Sequence, residues 1–154
     1  MRIPRAFFQL IIISFIVLNL SPAFGAMASI KYDNVNLRSG PGTHYRIMYK
    51  LGEGFPLIIL KKKGNWLRVK DFENTIGWVH KTLTVRKPHM IVKANRRSKK
   101  RVNIRSGPGR SHAIVGKAYY GVVFSTGEQR NGWVRVTHKS GLKGWMKRSL
   151  LWGY

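Results

Sequence analysis

The sequence predicts an all-β protein: two small tandem barrels or sandwiches behind a helical export segment. Three observations predict it. The run VNLRSGPG at 35–42 returns as VNIRSGPG at 102–109, so one unit is written twice. The residues between these signatures fall into short strand-like runs broken by glycine, asparagine and proline. No segment after the opening one shows a sustained 3.6-residue apolar period.

The opening segment comes first. Arg2 and Arg5 precede the apolar stretch AFFQLIIISFIVLNL at 6–20, and SPAFGA follows. A positive start, a short apolar middle and small residues at a cut site form the layout of a secretory signal. Ala23 and Gly25 suit a cut before Ala26, and Ala26 and Ala28 suit one before Ser29. The signal peptide is therefore set at 1–28, cut near 25–28. The apolar run is shorter than the about 20 residues a spanning helix needs, so cleavage is expected rather than a retained anchor. The mature chain is then exported, periplasmic or extracellular, and does not span the membrane.

The repeat keeps a constant offset of 67 residues from the signature to the end of the chain. Ile47 matches Ile114, Gly54 matches Gly121, Trp66-Leu67-Arg68-Val69 matches Trp133-Val134-Arg135-Val136, and Gly77-Trp78 matches Gly144-Trp145. The first domain is placed at 29–85, a short linker at 86–88 and the second domain at 89–154. In the first copy VNLR alternates sides, and SGPG ends it as a turn in which proline presets one dihedral and glycine supplies positive φ. RIMYKL, PLIILKKK, WLRVKD and GWVHKTLTV continue as strands. Their counterparts are AIVGKAY, VVFSTGEQR, WVRVTHK and GWMKRSLLW. A copy of about 60 residues buries only about 60% of its unfolded surface. Closing the sheet protects its edges.

These residues resemble the bacterial SH3-like domain. The resemblance rests on Asn36-Leu37-Arg38-Ser39-Gly40-Pro41-Gly42 with Trp66 and Gly77-Trp78. It is repeated in Asn103-Ile104-Arg105-Ser106-Gly107-Pro108-Gly109 with Trp133 and Gly144-Trp145. It covers residues 29–85 and 89–152 and implies two small, strongly bent SH3-like β-barrels. It also implies binding, often to peptidoglycan or its peptide stems, and not catalysis. No wall-hydrolase domain accompanies the repeats. The second copy opens with IVKANRRSKKRVNIR where the first has IKYDNVNLR, an insertion of mostly basic residues between its first two strands.

Composition narrows the chemistry. The 154 residues carry 29 Lys and Arg against 5 Asp and Glu, a net charge of +24, and no cysteine. Loss of Arg2 and Arg5 with the signal leaves +22. Without cysteine there are no disulfides, thiolate metal sites or thiol nucleophiles. The five carboxylates, Asp33, Glu53, Asp71, Glu73 and Glu128, are scattered. The histidines lack zinc-ligand spacing, and no serine sits in a GxSxG setting. The expectation is a protein with no catalytic residues, no metal and no cofactor.

The candidate ligand-binding residues are Arg38, Tyr45, Tyr49, Trp66, Trp78, Arg105, Trp133 and Trp145. Each arginine either caps carbonyls of its own turn or offers a fork to a ligand carboxylate or phosphate. Each tryptophan either fills a small core or, if exposed, stacks on sugar rings or apolar peptide groups. Tyr45 and Tyr49, facing His112 and Gly116 in the other copy, favour the first copy as the better groove.

Between Glu73 and Glu128 lie 54 residues without an acid. Residues 86–117 hold eleven basic side chains, with Arg96, Arg97, Lys99, Lys100 and Arg101 as candidate polyanion contacts. Such a run is either a solvated loop or a contact for an anionic partner that offsets its self-repulsion. The leading expectation is thus a non-catalytic module held to a cell-wall polymer or another anionic envelope component. The alternatives are an electrostatic binder of nucleic acid or lipopolysaccharide, and an adaptor for an exported protein.

Overall fold

A computed structural model describes residues 25–154. Of the signal peptide expected at 1–28, residues 1–24 lie outside the described residues. The described chain forms two seven-stranded antiparallel sheets of identical order.

The first sheet contains β1 (Met27–Ile30), β2 (Val35–Arg38), β3 (Ile47–Leu51), β4 (Pro56–Lys63), β5 (Trp66–Lys70), β6 (Ile76–His80) and β7 (Thr84–Val85). Their spatial order is β3-β2-β6-β5-β4-β1-β7. The second contains β8 (His89–Val92), β9 (Val102–Arg105), β10 (Ile114–Ala118), β11 (Val123–Arg130), β12 (Trp133–Thr137), β13 (Lys143–Lys147) and β14 (Leu151–Gly153), ordered β10-β9-β13-β12-β11-β8-β14. The two tandem barrels that the repeat predicts are present, strand for strand.

Alternation decides what faces inward. Val35 and Leu37 of β2, Leu67 and Val69 of β5, and Val79 of β6 are buried, while the even-numbered residues between them face out. With Ile30, Leu51 and Leu57 they form the first core. The second core uses the matching positions, Val102, Ile104, Val134, Val136 and Met146. Leu51 and Leu57 become Ala118 and Phe124, a small residue offset by a large one. Such partly compensated exchange limits the change in core volume and is better tolerated than either change alone.

Two sequence expectations need correction. GWVHKTLTV is not one strand: β6 ends at His80, a single 3-10 turn spans Lys81–Leu83, and β7 follows. GWMKRSLLW is divided in the same way by a turn at Arg148–Leu150. The turn is needed because β6 lies between β2 and β5, whereas β7 pairs with β1 at the far edge of the sheet. The first strand also begins earlier than the placed boundary of 29. Met27 and Ala28 pair with Ile58 and Leu57, and the Ala26 carbonyl accepts a hydrogen bond from the Ile59 amide at 2.8 Å.

The barrels touch chiefly through residues the repeat does not match. The Phe72 ring lies 5.3 Å from that of Tyr120 and 6.4 Å from that of Trp152. Glu73 accepts a hydrogen bond from the Tyr120 hydroxyl and pairs with Arg96 at 2.9 Å. Gly54, at φ 77°, packs on His89 and Val123; a Cβ there would lie 2.8 Å from the histidine ring. The connection is pinned on both sides. Ser29 Oγ donates to the Lys87 carbonyl at 2.8 Å, and the Thr126 amide donates to the Pro88 carbonyl at 3.1 Å.

Candidate functional site

Strand pairing writes three rows across the outer face of the first barrel. Lys63, Trp66 and His80 stand opposite one another, then Lys61, Arg68, Trp78, Arg38 and Ile47, then Ile58, Lys70 and Ile76. Residues in direct register share a face. The second barrel repeats the plan with Arg130, Trp133 and Lys147, then Arg135, Trp145, Arg105 and Ile114. Trp66, Trp78, Trp133 and Trp145 are half-buried on this outer face, and none belongs to either core. The core alternative for them is therefore set aside. Gly77 and Gly144 explain why. A Cβ at Gly77 would lie 2.6 Å from Leu37 Cγ, so the inward position before each tryptophan is filled from the neighbouring strand.

Beside this face each barrel has a groove. In the first it holds about 420 Å³ and is lined by Asn36, Arg38, Trp66, His80, Thr82 and Leu83, with Tyr32 and Asp33 from the β1–β2 loop. In the second it holds about 330 Å³ and is lined by Asn103, Arg105, Trp133, Lys147, Ser149 and Leu150 at the matching positions, with Arg101 and Arg110. The Asn36 side-chain oxygen is buried without a hydrogen-bond partner among the described residues. An unpaired buried acceptor is costly, and a ligand donor would satisfy it.

The structure brings together Arg38 with Trp66, and Arg105 with Trp133. Trp78 and Trp145 stand beside the arginines in the outer row but do not line the grooves. Tyr45 and Tyr49 do not join them. Tyr45 sits in the signature loop with its ring 4.3 Å from that of His44, and Tyr49 is 57% exposed on the edge strand β3. The tyrosine that does line the first groove is Tyr32, from a loop the repeat does not cover. Asn36 and Asn103 were legible as members of the signature. His80 and Lys147 were not, because their neighbourhood is made by the β5–β6 and β12–β13 pairings.

The signature loops are built by their arginines. Arg38 Nη1 donates to the carbonyls of Thr43 and Tyr45 at 2.7 and 2.9 Å, and Arg105 Nη1 donates to that of His112 at 2.8 Å. Both therefore cap carbonyls and also present a groove wall. The glycines of these loops do not supply the expected positive φ, since neither Gly40, Gly42, Gly107 nor Gly109 is left-handed. They are required for space instead: a Cβ at Gly107 would lie 2.5 Å from the His112 ring, and Gly40 meets Tyr45 in the same way. Each proline is bridged by a bond from the following glycine amide to the preceding glycine carbonyl, at 3.0 Å in the first loop and 2.9 Å in the second.

The basic insertion, residues 93–101, is a folded loop. The Ser98 amide donates to the Asn95 carbonyl at 3.0 Å, and Asn95 Nδ2 to the Lys100 carbonyl at 3.1 Å. Its five candidate contacts divide. Arg96 is taken by Glu73, and Arg101 lies over the Tyr119 ring at 5.5 Å. Arg97, Lys99 and Lys100 stay exposed. Burial and the Glu73 carboxylate push the Tyr120 phenol from 10.0 up to about 12.

A model described as bacterial SH3 domain matches residues 31–85 and 98–153. The chain belongs to the bacterial SH3 domain family. It is also similar to a Bacillus subtilis (strain 168) protein named as a candidate N-acetylmuramoyl-L-alanine amidase, at 28% identity over 154 residues. That match takes in 92% of this chain and 30% of the relative, so the chain spans under a third of that protein's length. Among solved structures, an NlpC/P60 family protein from Bacillus cereus shows a TM-score of 0.38 at 14% identity, over 84% of this chain and 56% of that one. NlpC2 from Trichomonas vaginalis gives 0.34 at 17%, over 82% and 47%. Among the described residues no helix is long and apolar enough to cross a membrane.

Proposed function

We propose that this bacterial SH3 protein is an exported, non-catalytic adhesion module. It holds onto the cell envelope by taking peptidoglycan, or its peptide stems, into its two grooves. The observation that carries this reading is the duplication of one groove. Asparagine, arginine, tryptophan, a hydroxyl residue and leucine recur at matching positions of both barrels. Stem peptides offer carboxylates, amides and short apolar side chains. The guanidinium nitrogens of Arg38 left free by the loop suit a carboxylate. The unpaired Asn36 oxygen suits an amide N–H, and the Trp66 ring suits an apolar group or a sugar face. Likeness to a protein named for an activity on muramoyl-alanine linkages agrees with a wall ligand. Adhesion without chemistry fits a chain with only five carboxylates and no cysteine.

The test is sedimentation with purified insoluble peptidoglycan at physiological salt. The protein should pellet, and the double variant Trp66→Ala, Trp133→Ala should stay in the supernatant at least tenfold more. No pelleting of the unmodified protein would overturn the reading. A second reading rests on exposed Arg97, Lys99 and Lys100, which support contact with a nucleic acid or lipopolysaccharide. Binding of that kind falls steeply with salt, with a log–log slope of roughly −0.9 per neutralised phosphate on DNA. Groove binding falls far less.

A further inference from the structure

The outer rows of the two barrels differ at one end. In the first barrel the central row ends at Lys61, and its ammonium lies 5.9 Å from the centre of the Trp78 ring. Lys62 and Lys63 continue the strand into the β4–β5 hairpin. The matching positions of the second barrel are Glu128, Gln129 and Arg130, and Glu128 pairs with Arg130 at 2.6 Å. One hairpin is thus purely cationic, and its twin is internally neutralised.

We propose that the outer face of the first barrel, with Lys61, Arg68 and Trp78 at its centre, binds an acidic polysaccharide. The site adjoins the first groove, which Arg38 at the end of the row lines, but none of these three residues lines a groove. Arg38, Arg68 and Lys61 follow one another across β2, β6, β5 and β4, with Trp78 between the two arginines. Neighbouring strands lie about 4.8 Å apart, so the cations form a line rather than a knot. A polymer of linked rings, each carrying an acid, needs such a line together with a flat aromatic platform. Trp78 supplies the platform; Lys61 lies over that ring, attracted by its negative face, and would turn from it to the sugar's acid group as the sugar stacks. A nucleic acid duplex would use the charges but leave the half-buried ring without a role. The second barrel keeps the tryptophan and the arginines but places Glu128 where the line would continue.

The test uses the protein with both barrels and polygalacturonate as the probe, with neutral dextran and a DNA duplex as controls. Lys61→Glu copies the second barrel's charge at an exposed site and should leave the circular dichroism unchanged. It should weaken polygalacturonate binding by about tenfold or more, the size expected when two units of charge change beside a polyanion. Trp78→Ala should weaken it severalfold, and Glu128→Lys should strengthen it. Neutral dextran should not bind. Unchanged affinity in Lys61→Glu would overturn the proposal. So would DNA binding as tight as polygalacturonate binding and equally indifferent to Trp78→Ala. Peptidoglycan pelleting by Lys61→Glu should stay within twofold. Loss of polygalacturonate binding with pelleting intact therefore bears on this face, and the reverse pattern bears on the grooves alone.

Discussion

Arg38 and Arg105 show how one residue serves structure and site together. A single guanidinium nitrogen holds the loop carbonyls, and the rest of the group faces the groove. Arg38→Ala should therefore cost about 1–2 kcal/mol by urea denaturation, given partly exposed charge-assisted bonds. Arg38→Lys should recover only part of it, because lysine lacks the planar fork. Gly77 is as specific. A Cβ there would stand 2.6 Å from Leu37 Cγ and 3.0 Å from the Arg38 carbonyl, and neither can move freely. Gly77→Ala should lower stability by about 1–3 kcal/mol, the usual range for an overpacked site.

At the scale of elements, β1 bears on the two cut sites expected for a signal peptide. A cut before Ser29 would remove Met27 and Ala28, two of the strand's four residues, and their pairing with Ile58 and Leu57. A cut before Ala26 leaves the strand whole. Where the proposed export cut is made, intact-mass measurement should place the new N-terminus at Ala26. The strands themselves were legible in the sequence, because alternating apolar residues and turn glycines act locally. The 3-10 turns were not. KTL and RSL carry no local signal for a break, and only the need to reach the far sheet edge imposes one.

For the whole molecule, the contact between barrels rests on Phe72, Glu73, Arg96 and Tyr120. The repeat could not announce it, since duplication matches like with like and this contact joins unlike positions. Phe72→Ala with Glu73→Ala should let the barrels tumble separately, read as faster rotational correlation times by NMR relaxation. Tyr120 reports on the same contact. Its phenol is raised to about 12 in the folded protein, so the neutral form is the one favoured there. The stabilisation it gives is complete below pH 10, the ordinary tyrosine value, and is lost as pH rises through about 12. Tyrosinate absorbance should show one late step near pH 12, and Tyr120→Phe should remove it.

The sequence by itself determined the duplication, the all-strand class, the inward alternation of each core and the identity of the signature residues. These follow from periodicity and turn chemistry, which act over a few residues. The tertiary structure decided which signature residues meet. It put Arg38 and Trp66 on one groove that Tyr45 does not line, kept the tryptophans out of the core, tied Arg96 to Glu73, and brought Lys61 over Trp78. Each of these depends on strand register across the sheet or on packing between barrels, and both are set by long-range pairing that no local run of residues encodes.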